Sequence, residues 1–153
     1  MKKHRILVVC AMVCAAIATS ESWAQTVTAT QALAFGKFVA GSGGTVVVST
    51  SGGRSASGSV ILVSSGAGTA AQFSVNGTPN ATYAISLPVN DVVVLTSGTN
   101  SMAVNNFTSS PDQTGTLSSG GSQTLSVGAA LGVGSSQANS RYNGKFTVMV
   151  NYY

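Results

Sequence analysis

The sequence has 153 residues, of which 44% are hydrophobic and only 7% are charged, and its formal net charge is +4. The His and both Cys residues lie before residue 25, so the rest of the chain cannot form a Ser-His-Asp or Cys-His catalytic site. After residue 24, four scattered cations stand against two carboxylates, a net charge of +2, which excludes the clustered basic surface of a nucleic-acid-binding protein.

The first 24 residues have the three parts of a secretory signal peptide. Residues 2–5 are basic, residues 6–18 form an apolar run too short for a comfortable membrane span, and Ser22 and Ala24 are the small residues that a signal peptidase reads. We therefore predict cleavage after Ala24 and export to the periplasm, the cell surface or the extracellular space. An uncleaved membrane anchor is the alternative. In the mature chain, residues 25–153, we expect no stable membrane span.

The mature chain opens with an alternating segment over residues 26–38. Val27 and Ala29 share one face of an extended strand, and Leu33 and Phe35 continue the apolar series. Gln31 interrupts that series, which predicts two short strands or one bent strand. Gly36 follows, where a bulge or a close backbone approach is expected.

Strand signals then recur along the chain, separated by Gly, Ser, Asn and Pro. Val-rich or alternating segments cover residues 45–50, 70–76, 83–87, 91–96, 102–107 and 125–133, the last interrupted by Gly128 and Gly132. Residues 59–64 form a continuous apolar run, which we interpret as a strand buried on both faces. We expect bulges or tight packing at the two glycines. The predicted core includes Val60, Leu62, Phe73, Ile85, Leu125 and Val148.

No segment carries a helical repeat of useful length, and no internal repeat suggests a solenoid. Strands at intervals of about eight to twelve residues are typical of an all-β sandwich or barrel. We therefore predict a single all-β domain over residues 25–153, with about nine or ten strands in two packed sheets. Without cysteine, this domain must depend on packing and strand pairing.

The mature chain offers little catalytic chemistry. Asp91 and Asp112 are its only carboxylate side chains, and we interpret them as turn residues and not as an acid/base pair. We expect no metal site, because there is no His or Cys and neither Asp lies in an oxygen-rich calcium loop. We also expect no cofactor and no enzymatic activity.

The chain ends in an alternating strand after an Asn143-Gly144 turn. Phe146, Val148, Val150 and Tyr152 fall on one face, and polar or flexible residues fall on the other. Because a free terminus frays unless it is paired, we predict a central or near-central strand whose partners lie far back in the sequence.

Four elements occur in a fixed order: Leu33-Ala-Phe-Gly36, the segment Phe73–Leu87, the segment Val127–Leu131, and an ending that reads Tyr-x-Gly-x-Phe-x-Val-x-Val-Asn-Tyr from Tyr142. In this order they resemble the DUF4402 domain family and the spore-coat-protein-U-like domains, and more distantly the pilin subunits of chaperone–usher systems. The resemblance covers nearly the whole mature chain. It implies a secreted bacterial β-sandwich of the immunoglobulin-like or pilin-like type.

Pilin subunits lack one strand, which a neighbouring subunit supplies. The resemblance therefore implies a non-enzymatic structural or adhesive surface protein, a pilus- or fimbria-like subunit that assembles by β-strand complementation. Its partners would be copies of itself or related subunits, with a periplasmic chaperone and an usher. The chain lacks the disulfide common among pilins, and only about eight residues separate the predicted cleavage site from Leu33. A self-contained extracellular carbohydrate- or matrix-binding module is the alternative. The candidate residues for assembly or strand pairing are Phe146, Val148, Val150, Tyr152, Val27 and Ala29.

Overall fold

The structure, a computed structural model, describes residues 24–153. The predicted signal peptide therefore lies outside the described residues, except for Ala24. The described chain contains strands and no helix, which confirms the predicted all-β class. It has twelve strands, more than the nine or ten expected, because several are short: β1 Thr26–Gln31, β2 Phe38–Val39, β3 Gly44–Val48, β4 Arg54–Gly58, β5 Ile61–Leu62, β6 Ala71–Asn76, β7 Thr82–Ser86, β8 Val93–Ser97, β9 Asn100–Ser110, β10 Thr114–Thr116, β11 Ser122–Val133 and β12 Met149–Tyr152.

Strand β11 lies in the middle of the largest of the three antiparallel sheets, which has seven strands. Its first half pairs with β6 and its second half with β3, while its opposite edge pairs with β9. The sheet extends from β6 to β1, from β3 to β4 and from β9 to β8. Alternate residues of β11 from Leu125 to Val133 are buried, as expected for a strand with one face against the core, and between them Gly128 and Ala130 are buried as well.

Two smaller sheets oppose the large one. One has the order β10-β7-β12, and the other contains only β2 and β5. Apolar residues between the layers form two buried clusters, of which one includes Val46, Val104 and Leu131 and the other includes Val75 and Leu125. This layered arrangement is consistent with the predicted β-sandwich.

The predicted core residues divide into two groups. Val60 and Leu125 are buried. The other four are half-buried and pack against the two clusters: Leu62, Phe73, Ile85 and Val148. The predicted doubly buried strand over residues 59–64 is wrong, because only Ile61 and Leu62 are in a strand and Ile61 is 66% exposed. Its short sheet has one face open, so a continuous apolar run does not mean burial on both faces here.

Gly128 marks the point where the large sheet divides. A Cβ atom there would overlap the carbonyl oxygen of Val48 and lie 2.9 Å from the Thr50 nitrogen. The register between β11 and β9 also shifts just beyond Gly128. The predicted bulge and tight packing are therefore confirmed at this glycine. At Gly132 an added Cβ atom would have its nearest neighbour 3.7 Å away, an ordinary contact, so the tight packing predicted there is wrong.

The interruption predicted near Gln31 is present as an irregularity in β1. The register against β6 shifts between Ala29 and Gln31. Residues 26–38 do not form one bent strand, because β1 ends at Gln31, Ala34 forms an isolated bridge with Thr69, and the short strand β2 begins at Phe38. Across residues 24–153, no helix is both long enough and apolar enough to cross a membrane.

Candidate functional site

The C-terminal segment keeps the alternation predicted from its sequence. Its alternate residues are half-buried and pack against the core clusters, while the residues between them are exposed. The half-buried set is Phe146, Val148, Val150 and Tyr152. This face is therefore partly covered by the sandwich and partly open.

The prediction that this segment is a central strand is wrong. Strand β12 pairs only with β7 and forms the edge of its sheet. The preceding residues, 144–148, are in no strand and take part in none of the backbone hydrogen bonds of the described chain. A strong alternating pattern reports that one face is covered, and it carries no information on how many neighbours the backbone has.

The direction of the backbone groups on β12 follows from its pairing with β7. The Tyr153 amide donates to the Thr82 carbonyl at 3.2 Å, so Tyr153 directs its backbone groups towards β7. In an antiparallel ladder successive residues direct their backbone groups to opposite sides. Asn151 therefore faces β7, whereas Val150 and Tyr152 present their N–H and C=O groups at the free edge.

Contacts at both ends hold the segment in place. At its start, Asn143 and Thr96 exchange two backbone hydrogen bonds of 2.8 and 3.0 Å. At its end, the Tyr152 hydroxyl donates to the Asn76 carbonyl on β6 at 2.8 Å, which joins the two layers. Burial raises the pKa of the Tyr152 hydroxyl above its ordinary value. The open backbone therefore lies between two anchored ends.

Aromatic packing anchors the middle of the segment. The Phe146 ring lies 5.2 Å from the Phe107 ring and 6.1 Å from the Phe73 ring, the latter in an edge-to-face arrangement. Phe146 packs against both core clusters. The side chain is thus fixed although the backbone around it has no strand partner.

The N-terminal strand β1 borders the same region. Val27 and Ala29 lie opposite Val75 and Phe73 of β6, so all four side chains share the face directed towards the core. Val75 is fully buried, yet Val27 is 39% exposed and Ala29 is also exposed. This end of the apolar face is therefore partly open to solvent in the described chain.

The six candidate residues are therefore brought to one region. Phe73 connects them, because it is the register partner of Ala29 and touches Phe146. We call this region the open seam: the free edge of β12, the unpaired residues 144–148, and the core-directed side chains Val27 and Ala29 of β1.

The second layer is interrupted beyond β12. Strand β2 pairs with β5 on one side only, and no backbone pairing connects this two-stranded sheet with β10-β7-β12. Phe38 of β2 packs against the same core cluster as Phe146. An added strand beside β12 would therefore extend the smaller sheet over apolar surface that is now partly exposed.

Sequence reasoning missed the role of Arg54. Its guanidinium donates hydrogen bonds to three backbone carbonyls, those of Phe35, Lys37 and Val63, at 3.0, 2.9 and 2.9 Å. A Cβ atom at Gly36 would overlap both this guanidinium and the Gly66 carbonyl oxygen, and Gly36 has a φ of 72°. The close approach predicted at Gly36 is confirmed, and it makes room for Arg54.

The described chain contains no group of three or more His, Cys, Asp or Glu residues that could hold a metal ion. Asp91 accepts a hydrogen bond from the Asn105 side chain at 3.3 Å, and Asp112 lies in the loop between β9 and β10. The two carboxylates therefore lie in different loops.

Comparison with known families finds a match that covers residues 26–152. The matching family is described as a domain of unknown function, DUF4402. The searches of curated proteins and of solved structures found no match.

Proposed function

This chain belongs to the DUF4402 family, and we propose that it is a non-enzymatic structural or adhesive surface subunit. In this proposal it assembles by accepting a β-strand at the open seam. The partner is a copy of the same chain or a related subunit, as in pilus- or fimbria-like assemblies. The single observation that supports the proposal most is the free backbone edge of β12 above a half-buried apolar face.

Hydrogen bonding favours an added strand at this edge. Val150 and Tyr152 direct their backbone donors and acceptors away from β7, and residues 144–148 make no backbone hydrogen bond within the described chain. Each backbone hydrogen bond contributes about 0.5–1.5 kcal/mol net. A strand that pairs over several residues would therefore gain a few kcal/mol from its backbone alone.

Apolar burial gives the second contribution. An incoming strand would cover Val27 and Ala29 and the open sides of Val148 and Val150. Covering apolar surface is worth roughly 25 cal/mol per Å². None of these residues is charged, so the incoming strand should present alternating apolar side chains towards them.

The same edge supports the proposed location and partners. An exposed strand edge promotes unwanted pairing unless it is covered. A subunit exported to the periplasm would therefore benefit from a chaperone that covers the open seam before assembly, and from an usher that delivers it to the cell surface. Export itself follows from the signal peptide predicted over residues 1–24.

A pair of proline variants tests the proposal. The Val150 amide points to the free edge, so Val150→Pro removes a donor that the β7 ladder does not use. The Asn151 amide faces β7, so Asn151→Pro removes a ladder hydrogen bond. We expect Val150→Pro to stay folded and to lose multimers, and Asn151→Pro to lose stability.

The measurements are the urea unfolding midpoint and the distribution of masses by size-exclusion chromatography with light scattering. The wild-type chain should form multimers at increasing concentration. Multimers of Val150→Pro equal to those of the wild type would reject the open seam as the assembly site. A wild-type chain that stays monomeric with every related subunit and at every concentration would reject assembly itself.

A further inference from the structure

We infer that a cleft on the outer face of the large sheet is a binding site for a neutral carbohydrate. The cleft has a volume of about 530 Å³ and lies where β3 ends beside β9 and β11. Its polar lining comprises Ser49, Thr50, Asn106, Thr108, Ser109 and Asp112. It shares no residue with the open seam, so it does not depend on the proposed assembly.

The floor of the cleft is apolar and partly exposed. Val47 and Ala130 are cross-strand partners on β3 and β11, and their side chains share the outer face. Val47 is 39% exposed. An apolar floor of this kind suits the C–H face of a sugar ring, which loses contact with water on binding.

Four polar side chains at the cleft have no partner in the described chain. Thr50 follows β3, Thr108 and Ser109 lie on β9 and Asp112 follows β9, and none of the four side chains forms a hydrogen bond within residues 24–153. The Ser109 hydroxyl is buried as well as unpaired. Hydroxyls both donate and accept, and an ionised carboxylate accepts from two hydroxyls at once. The hydroxyl groups of a sugar match this set.

The bulge in β9 fixes one wall of the cleft. Asn106 has a φ of 51°, and its amide donates to the Asn90 side-chain oxygen at 2.8 Å. Asn tolerates this left-handed conformation better than most residues. The Asn106 side chain is exposed at the cleft, and the loop that carries Asn90 holds the bulge in place.

The side chains that line the cleft are also unsuited to a charged ligand. No Lys or Arg lines the cleft, so a sulfated or phosphorylated ligand would meet only the Asp112 carboxylate. A divalent cation such as Ca²⁺ needs six to eight oxygen ligands, usually with several carboxylates, and the cleft supplies one carboxylate. A neutral polyhydroxylated ligand is the class that fits both the floor and the rim.

The test is saturation-transfer difference NMR of the full exported protein with methyl glycosides of glucose, galactose, mannose and N-acetylglucosamine at millimolar concentration. We expect saturation on ring C–H protons of at least one glycoside. Asp112→Asn should raise its Kd roughly tenfold, because hydrogen bonds to a charged group are worth about 1.5–3 kcal/mol. Thr108→Val, which removes one exposed hydroxyl with little change in shape, should also weaken binding.

Asp91→Asn is the matched control, because this carboxylate already accepts from Asn105 and does not line the cleft. Its Kd should equal that of the wild type. No saturation transfer to any of the four glycosides would overturn the inference, and so would an Asp112→Asn protein, folded by circular dichroism, that binds as the wild type does. Saturation transfer detects glycoside binding to monomers and to multimers alike, so a failure of assembly at the open seam would not change the result.

Discussion

Replacing Arg54 by methionine should destabilise the fold by more than any ordinary surface change. The guanidinium holds together three segments, because its acceptors are the carbonyls of Phe35, Lys37 and Val63 and its own backbone begins β4. Methionine retains most of the apolar stem and removes all three hydrogen bonds. The two-stranded sheet β2-β5 would then lose its main polar connection to the large sheet.

The expected loss of unfolding free energy depends on which of the three carbonyls keep another hydrogen-bond donor. The Lys37 carbonyl also accepts from the Val63 amide at 3.0 Å and the Val63 carbonyl from the Gly66 amide at 3.1 Å, so both keep one partner in the variant. The Phe35 carbonyl loses the only hydrogen bond it accepts in the described chain, at about 1–3 kcal/mol for a group left unsatisfied. Arg54 is only half-buried, and water can replace part of the loss. We expect Arg54→Met to lose about 1–3 kcal/mol of unfolding free energy, a substantial part of the 5–15 kcal/mol of a typical domain.

Lysine at the same position separates charge from geometry. An ammonium is a compact point charge, and it cannot reproduce the planar fork that reaches three carbonyls. Arg54→Lys should therefore lose about half as much as Arg54→Met. Arg141→Met is the control, because Arg141 is exposed and no hydrogen bond is formed by its side chain in the described chain, so its effect should stay within about 0.5 kcal/mol.

The assay is urea unfolding followed by circular dichroism, with the slope checked for two-state behaviour. If Arg54→Met and Arg141→Met unfold at the same urea concentration, the three carbonyl contacts do not hold the small sheet, and our account of Gly36 as the space for Arg54 fails with them.

Two further predictions concern the C-terminal segment and the neighbouring tyrosines Tyr83 and Tyr152. Val148→Asp should lose about 1–3 kcal/mol of unfolding free energy, because Val148 is half-buried, whereas Thr147→Asp should lose less than about 0.5 kcal/mol, because Thr147 is exposed. Urea unfolding measures both losses, and equal losses would contradict the assignment of the two faces. Burial raises the pKa of Tyr83 and Tyr152, with the nearby Tyr152 adding to the effect on Tyr83. A raised folded-state pKa contributes stability that is fully present below the unfolded pKa of about 10 and is lost as the pH rises through the folded value. Unfolding midpoints should therefore fall above about pH 10, and less steeply in Tyr83→Phe; a midpoint independent of pH up to about 12 would contradict this.

Much of the fold could be predicted from the sequence, because period-two alternation reports directly on which face of a strand is covered. The all-β class, the burial of alternate residues in β11, the irregularity of β1 near Gln31 and the close approaches at Gly36 and Gly128 all follow from local pattern or from the special conformations of glycine. These features depend on a residue and its near neighbours along the chain.

The rest depends on neighbours that the sequence does not reveal. The alternation at Val148 and Val150 is the same whether the strand is central or at an edge, so the sequence does not disclose the edge position of β12. Arg54 looks like one scattered cation in the sequence, because its three acceptors are backbone carbonyls and leave no trace there. The polar groups of the outer cleft come from two separate segments, residues 49–50 and residues 106–112, which the pairing of β3 and β9 with β11 brings together.

The position of Phe146 links the proposed assembly to stability. This ring packs against both core clusters, one of which includes Val104 and the other Val75. A strand at the open seam that covers Phe146 would therefore support both halves of the core at once. A partner that binds only the folded chain raises its stability by mass action. The subunit with an open seam should accordingly be the less stable form, and this difference would favour the assembled state without any further contact between subunits.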